Sequence, residues 1–440
     1  MRSGVRSICL QAPCGAGKTL LTAHMLKTAS EKGMRSWFLN HRRELITQGS
    51  RAFAAIDLPH GIIAAGFQPE PNKNVQIASV QTLIRRPGLN KPKLVVWDEV
   101  HHLGAKSWAA LHATMPDAFH IGLSATPVRT GTGGLGKWFT HMVRGPSVSA
   151  LIEQGYLSKY KLYAPVTADL SGLRTRMGDY IPSELSERID RPSLVGDAVI
   201  HYKRYVDGKR ALVFAVSIKH SQHVVAQFNS AGIPAEHVDG ECSMEYRDAA
   251  MKRFQNGETL VISNVSLFGE GLDIPGIEAV ILLRPTRSVG LYIQQSGRAL
   301  RPSPGKETAI ILDHSNNCRT HGLPDEDREW TLEGNHKRDG ASQEEGPSVR
   351  ICEKCFAATK RGPPNCLYCG TEFAVEPRKL TQKDGDLEEI TKQTAKREAK
   401  AAQGQARTLE ELVALGVSRG YKSPLKWGMA IIRARKERFK

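Results

Sequence analysis

Gln11-Ala12-Pro13-Cys14-Gly15-Ala16-Gly17-Lys18-Thr19-Leu20 is the stretch on which the reading of this chain turns. Ile8-Cys9-Leu10, just before it, is a short apolar run that predicts a buried strand. Leu20–Leu26, just after it, has apolar residues at helical spacing. Glycines, a lysine and a threonine therefore sit on a strand-to-helix turn. Backbone N–H groups of such a turn, with the positive end of the helix dipole, form a cradle for anions. Gly15 and Gly17 let the backbone approach a phosphate. Lys18 can reach β- and γ-phosphates, and the Thr19 hydroxyl can hold Mg2+. Ala12 stands where the pattern G-x-x-x-x-G-K-[ST] has its first glycine. A tight turn after a strand is the plainer reading; the correct context on both sides favours a nucleotide site.

Working outward, strands alternate with helices. Ser36–Leu39, Val75–Leu83, Leu94–Trp97 and Ala118–Leu123 read as strands, and His41–Leu45 as a helix start. That alternation predicts a parallel sheet covered by helices on both faces. Ligands of such sheets sit at the carboxyl ends of the strands. Asp98-Glu99-Val100-His101 follows one strand and Ser124-Ala125-Thr126 another, so both can converge on the phosphate loop. A carboxylate opposite such a loop can hold Mg2+, and its neighbour can orient and deprotonate a water attacking the γ-phosphate. Paired acids are common on solvated surfaces, but here an apolar strand delivers them.

A second alternating half follows. Ala211–Ala215, Ala235–Val238, Leu260–Asn264, Ala279–Leu283 and Ile310–His314 read as strands. Arg247–Phe254 and Tyr292–Leu300 read as helices. Gly145–Pro165 is expected to cross between the sheets, and Ser171–Arg191 to be an exposed excursion. Gln294-Gln295-Ser296-Gly297-Arg298-Ala299-Leu300-Arg301 fits Q-x-x-G-R-x-x-R. On one helix Arg298 and Arg301 would share a face. Guanidinium groups brought across a cleft stabilise charge on a transferring phosphoryl group.

Composition bounds the partners. The 440 residues suffice for two or three domains, and no signal peptide or membrane-length apolar run is present, so a cytosolic protein is expected. A net charge of +16 favours a polyanion such as nucleic acid. Four of the eight cysteines cluster as Cys352-x-x-Cys355 and Cys366-x-x-Cys369, ten residues apart. That arrangement predicts a closed, structural Zn2+ site, on an interval shorter than the usual one of about 15–20 residues. Glu333–Ser348 is polar and glycine-bearing, a linker. Asp384–Gln405 is heavily charged, Thr408-Leu409-Glu410-Glu411 is a capping-box signature for a helix stopping near Gly416, and Leu425–Phe439 is a basic helix able either to grip phosphates or to pack on a core.

In ordered combination these motifs resemble the superfamily 2 helicases of DEAD/DEAH type, here in the form Asp-Glu-Val-His. Ala12–Thr19 looks like motif I, Asp98–His101 motif II, Ser124–Thr126 motif III, Leu212–Ser217 motif IV, Gly269–Pro275 motif V and Gln294–Arg301 motif VI. Leu283–Ser288 and the cysteine ribbon point to the branch of RadD-like, UvsW-like and XPB-like helicases. The resemblance implies two tandem RecA-like α/β domains: 1–150, a crossing segment 151–195, and 196–332. A linker 333–348, a zinc ribbon 349–376 and a charged, basic helical tail 377–440 follow. It implies ATP and Mg2+ bound by Ala12, Pro13, Cys14, Gly15, Ala16, Gly17, Lys18, Thr19, Asp98 and Asp273. Catalysis would fall to Glu99, Lys18, Gln294, Arg298 and Arg301, and coupling to Ser124, Ala125, Thr126 and His101. Arg43, Ser79 and Gln81 would contact nucleic acid.

The expected activity is ATP-driven movement on DNA, rather than RNA, in repair, recombination or replication-fork processing, by a monomer with a repair or nuclease partner and no membrane role. An RNA helicase, or the motor subunit of a restriction complex without unwinding of its own, are the alternatives. The family carries a helix and an adenine-reading glutamine ahead of motif I. About ten residues precede the loop here, so a truncated start or weaker base selectivity is expected.

Overall fold

Short apolar runs become the strands of two parallel sheets. The first comprises β1 (Ser7–Gln11), β2 (Ser36–Asn40), β3 (His60–Ile63), β4 (Val75–Ser79), β5 (Leu94–Trp97), β6 (Phe119–Ser124) and β7 (His141–Arg144), in the order β3-β4-β2-β5-β6-β1-β7. Every pairing in it is parallel. β2 and β5 are buried along their whole length, as strands covered on both faces must be. Leu26, Phe38, Ile46 and Phe53 pack in one core and Trp37, Trp97, Trp108 and Phe139 in another. In register, Gln11 lies opposite Ser124 and Trp97 opposite Gly122. The loops leaving β1, β5 and β6 therefore emerge side by side.

The second sheet takes β8 (Lys159–Tyr163) and, after a small antiparallel hairpin of β9 (Thr175–Arg176) and β10 (Asp179–Tyr180), β11 (Ala211–Phe214), β12 (Ala235–Val238), β13 (Val261–Asn264), β14 (Ala279–Leu282) and β15 (Thr308–Asp313). Its order is β12-β13-β11-β14-β15-β8, again all parallel. An antiparallel ribbon, β16 (Val349–Ile351) and β17 (Ala358–Lys360), leans on edge strand β8. There Ala164 N–H donates to Phe356 O at 2.8 Å, and the Tyr205 hydroxyl donates to Cys355 O at 3.1 Å.

This computed structural model describes residues 4–86, 88–127, 134–165, 170, 172–176, 179–190, 192–265, 267, 276–333, 349–373 and 392–437. Both sheets and the ribbon fall in one compact unit, Met1–Phe373; Ala374–Lys440 is a second. The latter contains helices Lys392–Gln405, Leu409–Ser418 and Pro424–Glu437. Thr408 and Glu411 make the capping box. Gly416 lies inside its helix rather than ending it; a Cβ there would meet Pro424 and Trp427 at 3.0–3.2 Å. Arg419 donates to Ala399 O, and Arg435 to Gln403 O and Ala406 O. Arg435 thus satisfies carbonyls at the end of the first helix of that unit, and Arg419 one midway along it.

Several elements differ from the sequence reading. The strand expected over Val75–Leu83 stops at Ser79, whose hydroxyl accepts from Thr82 N–H and caps a helix Val80–Arg85. β3 and β7, short and part-exposed, carried too little apolar pattern to be seen. The crossing stretch contributes β8 to the second sheet. Within the expected exposed excursion, Leu185 and Ile189 are buried against Val216. The helix expected over Tyr292–Leu300 is Val289–Ala299, so Arg301 lies beyond it rather than on its face. Pro302 follows, and the residue before a proline avoids helical geometry. Glu333 apart, the linker lies outside the described residues.

Candidate active site and metal centre

The turn after β1 is shaped by two glycines. Gly15 and Gly17 adopt φ of 83° and 76°, a region costly for side chains, and helix Lys18–Glu31 starts directly from Gly17. Ala12 N–H donates to Ser124 O at 3.0 Å, tying the loop to the end of β6. Lys18 Nζ donates to Ala12 O and Pro13 O, both at 3.0 Å, so its ammonium spans the mouth of the loop. Cys14, Gly15, Gly17, Lys18 and Thr19 line a cavity of about 480 Å³.

Asp98 and Glu99 face the same cavity from the end of β5. Burial, then the neighbouring Glu99 carboxylate, push the Asp98 carboxyl above the usual carboxylate range, while the Lys18 ammonium pulls the other way. Glu99 is 5% exposed and sits at φ 48°, ψ 53°. A left-handed backbone at a non-glycine residue costs about 1–3 kcal/mol and is tolerated where the surroundings enforce it. His101 Nδ1 lies 3.4 Å from Glu99 Oε2 and 3.2 Å from Ser124 Oγ. Ser124 Oγ also accepts from Thr126 N–H at 3.1 Å, and Gln11 Nε2 donates to Ala125 O at 3.1 Å. The loops after β1, β5 and β6 are thus one hydrogen-bonded block.

The other wall comes from the second sheet's side. Arg298 and Arg301 line the cavity with Gly276, Ile277 and Pro302. Gln294 is buried on the same helix as Arg298. That helix presses on the first half at two glycines. A Cβ at Gly297 would lie 3.0 Å from Cys14 Cβ, and one at Gly290 would lie 3.0 Å from Thr126 Oγ1. Arg42 donates to Leu267 O at 2.7 Å, and Arg247 pairs with Glu44 at 3.4 Å, also between the halves.

Sequence reasoning missed several residues here. Lys306 Nζ donates to Ile277 O and Arg301 O at 2.8 Å and to Ala299 O, holding the segment that carries Arg301. Leu20, Gln48 and Ala52 also line the cavity. A lone lysine and an ordinary helix face carry no motif that would have revealed them. Asp273, with the whole of Gly269–Pro275, lies outside the described residues. Arg43 is exposed at the start of helix Arg43–Ala54 and lies 5.2 Å over the Phe67 ring. Ser79 Oγ donates to Gln81 Oε1 at 2.9 Å, with Gln81 exposed.

The four ribbon sulfurs lie within 4.8 Å of one another, with Cys352–Cys369 and Cys355–Cys366 each at 3.6 Å. Tetrahedral Zn–S bonds of about 2.3 Å require S···S edges of about 3.8 Å, so the residues present fit the metal. Both knuckles fold alike. Phe356 N–H donates to Cys352 O and Gly370 N–H to Cys366 O, with positive φ at Phe356 and Gly370. Cys352 and Cys366 are buried against the second sheet's core.

Two family models match the chain: "Type III restriction enzyme, res subunit" over residues 1–129 and "Helicase conserved C-terminal domain" over 195–303. A 51.5 kDa protein of a Lactococcus phage is 34% identical over 391 residues, 88% of this chain and 83% of that protein. The DNA 3′-5′ translocase XPB2 of Sulfurisphaera tokodaii is 24% identical, covering 68% of this chain and 75% of that one. Among solved structures, the ATP-dependent Type ISP restriction-modification enzyme LlaBIII bound to DNA shares the fold, with a TM-score of 0.53 and 17% identity over 70% of this chain and 26% of that one.

Proposed function

The chain belongs to the superfamily 2 helicases, ATP-hydrolysing enzymes that act on nucleic acid, and on that premise we propose that it is a DNA-directed helicase or translocase serving repair, recombination or replication-fork processing. One observation carries the reading: Lys18, Thr19, Asp98 and Glu99 from one sheet and Arg298 and Arg301 from the other line a single cavity. In the proposed mechanism the backbone of Ala12–Gly17 and the Lys18 ammonium cradle the phosphates. Thr19 and Asp98 would hold Mg2+, which would supply neutralisation of the phosphate charge when bound. Glu99 orients the attacking water and takes its proton, with His101 and Ser124 linking it to Thr126. Arg298 and Arg301 stabilise charge on the transferring group, with Gln294 beside them. By the family resemblance, Asp273 would contact the ribose or help transmit the nucleotide state. Hydrolysis is then fast only in the closed form, whose grip on a strand differs from that of the open form.

The proposed division keeps 1–150 and 196–332 as the two motor lobes, joined by 151–195. The 349–376 ribbon would carry structural Zn2+ on its four thiolates. Arg43, Ser79 and Gln81 would meet the phosphate backbone. The net charge of +16 supports a nucleic-acid partner, and the relative named a DNA translocase supports DNA. The match of residues 1–129 to a restriction-enzyme subunit favours a second reading, a motor subunit that unwinds nothing alone.

ATP hydrolysis by the wild type and Lys18→Ala, without nucleic acid, with forked DNA and with structured RNA, tests the proposal. Strong stimulation of the wild type by DNA supports it. Stimulation by RNA alone would overturn the substrate, and DNA-stimulated hydrolysis without strand displacement would favour the motor subunit.

A further inference from the structure

At the far edge of the second sheet from the ribbon, β12 ends in a turn, 239–243, that opens helix Met244–Asn256. His237, Asp239 and Cys242 bring an imidazole nitrogen, a carboxylate oxygen and a thiol within 4.8 Å of one another there. Two of the three are held from behind. His237 Nδ1 is 2.7 Å from Ser221 Oγ, itself 2.6 Å from Ser263 Oγ. Asp239 Oδ1 accepts from the N–H groups of Glu241 and Cys242 at 2.9 and 3.0 Å. Asp239 Oδ2 is thereby left facing His237 Nε2 at 3.1 Å. Yet Nε2, though buried, makes no hydrogen bond of acceptable geometry. An aspartate capping a turn accounts for Oδ1, but not for the convergence of Oδ2, the imidazole and the Cys242 thiol. A buried polar atom without a partner is costly and calls for one.

We propose that His237, Asp239 and Cys242 form a second metal site, taking a borderline divalent ion of the Zn2+ class. One nitrogen, one oxygen and one sulfur ligand suit such an ion, with a fourth position left to water. Ser221 is the outer partner that sets the imidazole's orientation. An ion here would brace the turn leading to Arg247, which reaches across to Glu44.

Cobalt(II) is the probe, added to the full chain as purified with its ribbon zinc. One saturable equivalent should bind, with a thiolate-to-cobalt charge-transfer band and no release of zinc. Cys242→Ser should abolish the band, and Ser221→Ala should weaken binding about 10- to 100-fold. Ribbon zinc, measured by elemental analysis, should stay constant in both. Absence of a saturable equivalent, a band that survives Cys242→Ser, or a band arising only as zinc is displaced would overturn the proposal.

Discussion

Gly297→Ala separates the stability of the motor from its chemistry. Gly297 lies inside helix Val289–Ala299, where alanine is favoured over glycine by about 0.5–1 kcal/mol. The added Cβ would meet Cys14 Cβ at 3.0 Å and Sγ at 3.7 Å. Carbon contacts prefer about 3.5–4.0 Å, so the phosphate loop must retreat by a few tenths of an ångström. Overpacking of that kind costs about 1–3 kcal/mol. Cys14 belongs to the first half and the helix to the second, so the cost falls on the closed form alone. At about 1–2 kcal/mol the closed population, and with it kcat for DNA-stimulated ATP hydrolysis, should drop roughly 5- to 30-fold. Thermal unfolding should move the other way or not at all, by about 0–4 °C upward. Cys14→Gly removes the opposing Cβ and should restore turnover in the double variant. An unchanged kcat alongside a raised Tm would refute the reasoning, because Gly297 would then not touch the loop in the form that hydrolyses ATP. A fall in both would place the clash inside one lobe.

Further outcomes follow from the ribbon and from Lys306. If the ribbon holds zinc as proposed, Cys366→Ser should remove it, measured per chain by elemental analysis, and lower Tm by about 6–12 °C, since Cys366 is part of the second sheet's core; retained zinc and an unchanged Tm would count against the four-thiolate site. Lys306→Met should lower kcat about tenfold with less effect on the KM for ATP, because three carbonyls, that of Arg301 among them, lose their donor. Burial pulls the Lys306 ammonium down to about 8. Above that pH it keeps two N–H groups for three carbonyls, so turnover should fall on the alkaline side. Lys306→Arg, which stays charged, should push that limb upward; a pH–rate profile identical in the two proteins would exclude the lysine.

The parallel sheets were legible because fully buried strands such as Leu94–Trp97 and Ala211–Phe214 are continuous apolar runs. β3 and β7 were not, being short and half-exposed. The first wall of the cavity was readable as motifs because Lys18, Thr19, Asp98 and Glu99 each follow a strand, where α/β sheets put their ligands. Arg298 was readable for its motif, whereas the position of Arg301 was misjudged. Helical spacing cannot reveal that the helix ends at Ala299, two residues short of Arg301. Gln48 and the pairing of Gly290 with Thr126 depend on which segments meet across the cleft, and the role of Lys306 on which carbonyls of its own half surround it; no local pattern encodes either. The sequence left the basic helix over Leu425–Phe439 open between gripping phosphate and packing on a core; of its arginines, Arg435 is engaged with the carbonyls of Gln403 and Ala406.

The most direct test of a catalytic site shared between two lobes is single-turnover ATP hydrolysis by Arg298→Ala and Arg298→Lys on DNA, with Mg-ATP affinity measured in parallel. Arg298 is 3% exposed, on the wall opposite Lys18 and Glu99. An arginine that stabilises transferring charge is worth about 10³ or more in rate. Both variants should therefore lose about three orders of magnitude in hydrolysis while nucleotide affinity changes by less than about tenfold. Hydrolysis within threefold of the wild type in a folded Arg298→Lys protein would contradict the shared site and leave Arg298 a structural residue of its own lobe.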